Sequence, residues 1–282
     1  MRSAPPALIA LLNNSQQFVM ADLYQITMTN GTILRYTNFD VAVADNGSTY
    51  LANSVLIERS RVRNVIGVEV DTLDVTVNPH PSDLVGSLTF LQTCASGMLD
   101  GAFLQMRRAF FDEDGLNVGS FINFSGRVAD LNMTRSEVSI TVKSDLELLA
   151  VKLPRNLYQA TCLNTLYDGN CGLVRATWGV AGTVTSATKT TVNCGITNPA
   201  PYFDLGYIVF NTGALAGVRR TVKSYSINNF VLLNPLPAVP LAGDTFTAFA
   251  GCDKSQSTCT TKFANLPKFR AFPYIPVPET TR

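Results

Sequence analysis

The stretch that decides the fold is "ADLYQITMTNGTILRYTN", residues 21–38. Two runs of alternating apolar and polar residues flank Asn30-Gly31, and an Asn-Gly pair between such runs is the strongest short-range signal for a β-hairpin. The next stretch, "FDVAVADNGSTYLA" (residues 39–52), repeats the pattern around Asn46-Gly47. Residues 20–80 are therefore predicted to form an antiparallel meander.

Helices are predicted at only two places in the first half of the chain. Ala7–Leu12 is a short apolar run that follows two prolines, which are tolerated in a first helical turn. Residues 82–100 carry apolar positions at helical spacing, with Ser82 as N-cap and Gly97 at the end. Strand patterns resume after the acidic turn "DEDG" (residues 112–115), and no strand–helix–strand alternation follows. The predicted fold class is mainly β, with antiparallel sandwich or barrel domains and a few short helices.

The length of 282 residues fits one large domain or two modest ones. The run "KLPRNLYQATC" (residues 152–162) indicates a boundary, which gives an N-terminal domain of residues 1–155 and a C-terminal domain of residues 156–282. Within the second domain, residues 173–250 are rich in Thr, Val and turn glycines, and they are predicted to form a β-rich insert.

Composition excludes several classes of protein. The net charge of +1 lacks the basic excess of a nucleic-acid-binding domain, and no apolar run has the length of a membrane span. The first residues lack the long apolar core of a signal peptide, so we expect the thiols to stay in a reducing cytosol. Only 15% of the residues are charged, which suits a chain that buries much of its surface against neighbours.

The cysteines are the strongest candidates for a functional site. The chain has six, against a single histidine, His80, which lies between two prolines in a predicted solvent-facing turn. Four of them form two pairs: Cys162 and Cys171 enclose eight residues, and Cys252 and Cys259 enclose six. The other two are Cys94, predicted to be a small core residue, and Cys194.

The spacing of the two pairs leaves several interpretations open. Zinc sites usually take thiolates two to four residues apart, because a tight turn aims both sulfurs at one small ion. These loops are wider, and a cubane iron–sulfur cluster accepts more varied spacings. Disulfides are allowed by the even count but disfavoured by a reducing compartment. The pairs can also have no joint role.

A resemblance to a known family narrows this choice. The stretches "PRNLYQATCLNTLYDGNCGL" (154–173) and "AGDTFTAFAGCDKSQSTCTTKFANLPKFRAFPYIP" (242–276) resemble the C-terminal region of the baseplate hub and tail-tip proteins of long-tailed phages and gene transfer agents. Residues 21–77 are similar to the first domain of that family, so the resemblance covers nearly the whole chain. One departure is Val277, where a glycine is expected after the last motif proline.

The resemblance implies a structural virion protein and not an enzyme. The expected molecule is a homotrimer of tail-tube-like β domains, which sits in the tail tip or baseplate after assembly in the host cytoplasm. It would connect the ring of distal tail protein to the central tail fibre or tip protein that faces the receptor. Its lumen would hold the tape measure protein and later pass DNA without specific binding.

The resemblance also implies a cofactor. A [4Fe–4S] cluster would be held by four cysteines that lie in residues 156–172 and 251–276, with a structural role in tethering the loops on both sides of the insert. The expected ligands are Cys162, Cys171, Cys252 and Cys259. Two interpretations stay open for the aromatic residues that follow the second pair: an apolar shield of the cluster against water, or ordinary core or interface aromatics. These residues are Phe263, Phe269, Phe272 and Tyr274. The rival hypotheses are a zinc-stapled structural module, an iron–sulfur redox protein and a tail-associated cell-wall hydrolase.

Overall fold

The computed structural model describes residues 4–14, 17–52, 55–62, 70–150 and 158–274. The chain divides into two compact units, Met1–Ala150 and Val151–Arg282, and both are built mainly of antiparallel strands. The domain boundary predicted at residue 155 falls within residues 151–157, outside the described residues. In the described part of the chain, no helix has the length and apolar character needed to cross a membrane.

The first unit contains two α-helices, eleven strands and one 3-10 helix among its described residues. In chain order these are α1 (Pro6–Asn14), β1 (Val19–Thr27), β2 (Ile33–Thr37), β3 (Val43–Asp45), β4 (Ser48–Tyr50), β5 (Val55–Arg59), β6 (Thr72–Pro79), β7 (Leu84–Val85), β8 (Leu88–Thr89), α2 (Phe90–Ser96), β9 (Phe103–Phe111), β10 (Asn117–Met133), β11 (Val138–Lys143) and the 3-10 helix Asp145–Leu149. Seven strands form one sheet in the order β2-β1-β9-β10-β11-β6-β5.

Both hairpins predicted from Asn-Gly pairs are confirmed. β1 and β2 pair in an antiparallel register that ends at Thr27 opposite Ile33, and Gly31 turns the chain with a φ of 88°. β3 and β4 join through Asn46 and Gly47, which have φ values of 47° and 72°. Both residues of this second turn therefore take the left-handed conformation that a type I′ turn requires. The short N-terminal helix is also confirmed, as α1.

The helix predicted for residues 82–100 is wrong over most of its length. Only Phe90–Ser96 is helical, because β7 and β8 occupy the preceding residues as a two-stranded hairpin. Ser82 does not cap the helix. Thr89 does, in a capping box in which its hydroxyl accepts from the Gln92 N–H while the Gln92 side chain accepts from the Thr89 N–H. The predicted end at Gly97 is correct, with a φ of 81°.

The sheet of the first unit is covered on both faces. In β1, Tyr24 and Ile26 belong to the larger hydrophobic core, which also contains residues of β6, β9, β11 and α2. Ala21 and Leu23 point to the other face, where the β3–β4 hairpin covers them with Val43. This arrangement explains why β1 shows consecutive buried residues and not a simple alternation.

A buried ion-pair network joins three strands of this sheet. Asp22 on β1 is only 6% exposed, and its carboxylate accepts from Arg59 Nε on β5 at 2.6 Å and from Arg108 Nε on β9 at 3.0 Å. The two arginine side chains are 20% and 25% exposed, respectively. Two cations on one desolvated carboxylate fix the β1–β9 pair and β5 relative to each other.

The second unit is organised around a closed six-stranded barrel. Its elements are the 3-10 helix Arg175–Trp178, β12 (Gly179–Ala187), β13 (Thr191–Cys194), β14 (Tyr207–Phe210), β15 (Arg219–Ser226), β16 (Asn229–Leu232), β17 (Thr245–Phe249), α3 (Gln256–Thr261) and the 3-10 helix Leu266–Lys268. The strands close in the order β12-β13-β16-β15-β14-β17. This barrel occupies the predicted β-rich insert.

Aromatic side chains fill the barrel. The ring of Phe230 lies 5.2 Å from that of Phe203 and 5.8 Å from that of Phe246, and all three side chains are fully buried. Gly182 on β12 makes room for them, since a Cβ there would lie 2.7 Å from the Phe246 ring. Burial of this kind supplies most of the stabilisation of a small barrel.

The pairing that closes the barrel joins its first and last strands. β12 and β17 run antiparallel with Gly179 opposite Phe249 and Val180 opposite Ala248. The Ala250 N–H donates to the Trp178 carbonyl oxygen at 3.1 Å, just beyond the paired residues. The chain therefore enters and leaves the barrel at the same point of its rim.

We predict that Asp22→Asn destabilises the protein by about 2–3 kcal/mol. The change keeps the shape of the side chain but removes a buried charge shared by two arginines, which retain some solvent contact. Urea unfolding followed by circular dichroism measures the loss. Asp145→Asn is the control, because Asp145 and its partner Arg127 are 58% and 52% exposed and such pairs contribute less than about 1 kcal/mol. Equal losses in the two variants would contradict the role of the network.

Candidate four-cysteine site

Two loops at the rim of the barrel carry the four predicted ligands. The first cysteine loop, residues 158–172, ends shortly before the barrel, and the second, residues 251–274, begins directly after it. Because Gly179 pairs with Phe249, the residues just before Gly179 and those just after Phe249 lie close together. Closure of the barrel thus brings together cysteines that are about eighty residues apart in the sequence.

Asp168 organises the first cysteine loop. Its Oδ1 accepts from the Cys171 N–H at 2.6 Å, and its Oδ2 accepts from the Thr165 N–H at 3.0 Å. Its carbonyl oxygen accepts from the Gly172 N–H at 2.8 Å. Gly172 has a φ of 71°, a conformation that favours glycine over other residues. One carboxylate therefore folds the loop back so that Cys171 has a fixed main-chain position.

The second cysteine loop turns sharply around Cys252 and then enters α3. Lys254 takes a φ of 62°, and its N–H points to Cys252 Sγ at 3.3 Å. Ser255 caps α3 by accepting from the Thr258 N–H at 3.2 Å. Cys259 lies within α3 and donates its N–H to the Ser255 carbonyl oxygen at 3.1 Å. A backbone N–H aimed at a cysteine sulfur is a frequent feature of iron–sulfur sites.

Main-chain and amide hydrogen bonds hold the two loops against each other. The Cys162 N–H donates to the Lys254 carbonyl oxygen at 3.0 Å, and Asn164 Nδ2 donates to the Lys268 carbonyl oxygen at 3.0 Å. Asn265 Nδ2 donates to the Cys171 carbonyl oxygen at 2.7 Å. Both cysteines of the first loop are therefore bonded directly to residues of the second.

All four cysteines line a single pocket between these loops. Apolar side chains complete much of its wall. The lining includes Cys162, Cys171, Cys252, Cys259, Leu166, Leu173, Phe263 and Phe269. Two of the four aromatic residues considered as a shield are thus at the pocket. The shield interpretation is wrong for the other two, since Phe272 packs on Tyr158 with ring centroids 4.5 Å apart and Tyr274 is 89% exposed.

The pocket disfavours charge on the thiols of Cys252 and Cys259. Burial raises the pKa of Cys252 above its ordinary value, and the facing Cys162 and Cys171 raise it further. Burial also raises the pKa of Cys259, and the nearby thiols raise it further; these are Cys162, Cys252 and Cys171. The thiols are therefore close enough to repel one another as thiolates. Four thiolates in this space require a positive partner.

Within the five described ranges, no group of three or more His, Cys, Asp or Glu side chains is arranged to hold a metal ion. A tetrahedral zinc site needs four sulfurs at about 2.3 Å from a single atom, whereas a cubane cluster accepts thiolates from more varied spacings. The four thiols line one pocket, which either kind of centre requires.

The remaining cysteines and the histidine lie elsewhere. Cys94 is buried in the larger core of the first unit, which confirms its predicted role as a core residue, and burial raises its pKa to about 12. Cys194 is buried on β13 of the barrel. His80 is exposed, as predicted, and its Nδ1 lies 2.6 Å from Ser82 Oγ in the same turn.

Sequence reasoning missed Asp168 and Asn265 as organising residues. Asp168 lies three residues before Cys171, the spacing at which a capping Asp accepts a main-chain N–H group, so a local signal was present. Asn265 stands within the quoted C-terminal motif, but its neighbours resemble an ordinary helix start. Its long-range contact with Cys171 has no local signature.

Comparison with known proteins identifies two families. The family described as "Baseplate hub protein, N-terminal attachment domain" matches residues 5–174, and the family described as "Phage conserved hypothetical protein BR0599" matches residues 201–279. The first match contains Cys162 and Cys171, and the second contains Cys252 and Cys259. No curated protein matches the chain.

A solved structure gives a match over almost the full length. It is described as "Virion of native gene transfer agent (GTA) particle", and one of its chains aligns with a TM-score of 0.77. The alignment covers 98% of this chain and 94% of that chain at 22% sequence identity. At this identity the likeness demonstrates a shared fold.

We predict that Gly251→Ala destabilises the second unit by about 2–3 kcal/mol. A Cβ at this position would overlap the Asp204 carbonyl oxygen and the Gly206 nitrogen, which are backbone atoms that cannot rotate away. Thermal unfolding by calorimetry measures the change. Gly195→Ala is the matched control, since a Cβ there meets nothing within 4 Å, and its expected effect is within about 0.5 kcal/mol. A neutral Gly251→Ala would contradict the close approach at Cys252.

Proposed function

Because the chain belongs to the baseplate hub protein family and is therefore a virion component, we propose that it forms the hub of the tail tip. In this proposal it joins the ring of distal tail protein to the central tail fibre or tip protein that contacts the receptor. Its subunits surround a lumen that holds the tape measure protein and then passes DNA. The near-neutral net charge of +1 suits a conduit that does not bind DNA specifically.

The sheet of the first unit supports a homotrimeric, tube-like assembly. Its end strands are β2 and β5, and the curled sheet brings them close to each other. Leu56 on β5 is nevertheless 61% exposed. An exposed apolar residue on an end strand is a candidate contact for another chain. A neighbouring subunit that packs against this strand would help to surround a lumen.

The pocket at the rim of the barrel supports a [4Fe–4S] cluster. The observation that carries this assignment is that four half-buried cysteines, from two loops about eighty residues apart, line one pocket. The cysteines of each pair enclose eight and six residues, which is wider than the usual zinc spacing and is accepted by a cluster. Cys162, Cys171, Cys252 and Cys259 would each supply one thiolate. When bound, the cluster supplies an inorganic cross-link whose positive irons neutralise the thiolates.

The surroundings of the pocket favour a structural role over catalysis. Its lining side chains are thiols, amides, lysines, a serine and apolar groups, without a histidine or a carboxylate. General acid–base hydrolysis depends on such groups, so a cell-wall hydrolase finds no support at this site. The thiols instead connect the two loops that flank the barrel, which is what a structural cross-link requires.

We predict that anaerobically purified protein is brown, absorbs near 400 nm and contains about four irons and four sulfides per chain. Cys252→Ser should lose most of the iron, because it removes one of the four ligands. Cys194→Ser is the control, since Cys194 lies on β13 away from the pocket, and it should keep the cluster. A colourless protein with one zinc would refute the cluster, as would full iron content in Cys252→Ser.

We also predict a particle of three 30.5 kDa chains in analytical ultracentrifugation. Leu56→Lys places a charge on the end strand β5 and should shift the population toward single chains. Leu84→Lys is the matched control, because Leu84 is 62% exposed on the separate β7–β8 hairpin. A wild-type protein that stays a single chain at all concentrations would argue against the homotrimer, and equal effects of the two variants would argue against the β5 contact.

A further inference from the structure

Asn265 reaches from the second cysteine loop to the first. Its Nδ2 donates to the Cys171 carbonyl oxygen at 2.7 Å and lies 3.8 Å from Cys171 Sγ, although the two residues are 94 positions apart. Its main chain holds Cys259: the Asn265 N–H donates to the Cys259 carbonyl oxygen at 2.9 Å, and the Cys259 thiol donates to the Asn265 carbonyl oxygen at 3.4 Å. One residue therefore contacts a cysteine of each pair.

The Asn265 side chain does not cap the helix that follows it, although asparagine often does so at this position. Asn265 directly precedes the 3-10 helix Leu266–Lys268 and makes no side-chain capping bond to it. The residue before it, Ala264, has a φ of 47°, which is costly for alanine and turns the chain sharply after α3. Both features leave the carboxamide free to point at Cys171.

The carboxamide can serve both the main chain and the sulfur of Cys171. An asparagine Nδ2 has two hydrogens, and the short bond to the carbonyl oxygen uses one of them. The other faces Cys171 Sγ, within the longer distance that a sulfur acceptor allows. A neutral N–H donor to a thiolate ligand withdraws electron density from the sulfur, and it stabilises the more reduced state of an attached cluster.

We propose that Asn265 is a positioning residue that locks Cys171 against Cys259 and donates a hydrogen bond to the Cys171 sulfur. The first part concerns the fold of the loops. The second part rests on the proposed [4Fe–4S] cluster and deepens it, because it assigns to one side chain the control of ligand geometry and reduction potential.

Asn265→Ala tests both parts, and Asn164→Ala is the matched control. Asn164 lies at the same pocket, but its amide donates to the Lys268 carbonyl oxygen and to no sulfur. The first measurement is the alkylation rate of Cys171 by iodoacetamide in the metal-free full-length protein, followed by peptide mass spectrometry, at an alkaline pH where the thiol is ionised and the rate reports access to the sulfur. The second is the midpoint potential of the bound cluster, together with its half-life in the presence of an iron chelator.

We expect Asn265→Ala to raise the alkylation rate of Cys171 several-fold, shift the midpoint potential to a more negative value and shorten the cluster half-life several-fold. Asn164→Ala removes another bond between the loops but no contact to sulfur, so it should leave the midpoint potential unchanged and affect the alkylation rate and the half-life less than Asn265→Ala does. If Asn265→Ala fails to fold, Asn265→Asp keeps the side-chain shape without an N–H donor and should shift the potential in the same direction.

Two results would overturn the proposal. One is wild-type alkylation and potential in Asn265→Ala. The other is an equal change in Asn164→Ala, which would indicate general loosening of the loops. Wild-type protein without iron and sulfide would refute the cluster itself, and the alkylation rates would then decide the positioning role alone.

Discussion

The antiparallel pairing of β12 with β17 is the constraint on which the second unit depends. It closes the barrel, and by placing Gly179 opposite Phe249 it makes the entering and leaving chain segments neighbours at the rim. The cysteine pairs lie on those two segments. The pocket lined by the four thiols is thus a consequence of strand register, because a shift of the pairing along the strands would move one loop past the other. Gly182 matters for the same reason, because it allows the close approach of Phe246, its partner on β17.

Local signals in the sequence predicted local structure well. The Asn-Gly pairs identified both hairpins because the turn type is set by the φ preferences of the two turn residues themselves. The helix over residues 82–100 failed for a comparable reason. Its apolar spacing was compatible with a helix, but Gly86, with a φ of 67°, turns the chain into the β7–β8 hairpin first. The sequence pattern of a capping box, Thr89 followed three residues later by Gln92, is present and marks the true start of the helix.

Long-range features could not be predicted in the same way. The cysteines were identified as a candidate site by residue type and pairing, but their placement around one pocket depends on a barrel closure between strands about seventy residues apart. The partners of Asp22 lie 37 and 86 positions away, and nothing near Asp22 in the sequence indicates that two arginines reach it. At the cysteine site, Asn265 likewise bonds to a residue 94 positions away, Cys171. Such contacts are set by tertiary packing, which overrides local propensity.

The barrel and the cysteine loops differ in what stabilises them. The barrel has a complete aromatic core, so its folding needs no cofactor. In residues 158–172 and 251–274, by contrast, Phe263 is the only buried apolar side chain, and the loops depend on hydrogen bonds and the half-buried Lys262 ammonium, which donates to the Gly251 carbonyl oxygen at 2.7 Å. Hydrogen bonds at a half-exposed site each contribute only about 1 kcal/mol. A cross-link through four thiolates would therefore contribute most stabilisation to the loops, where packing is weakest. Its loss would release the loops while the barrel stayed folded.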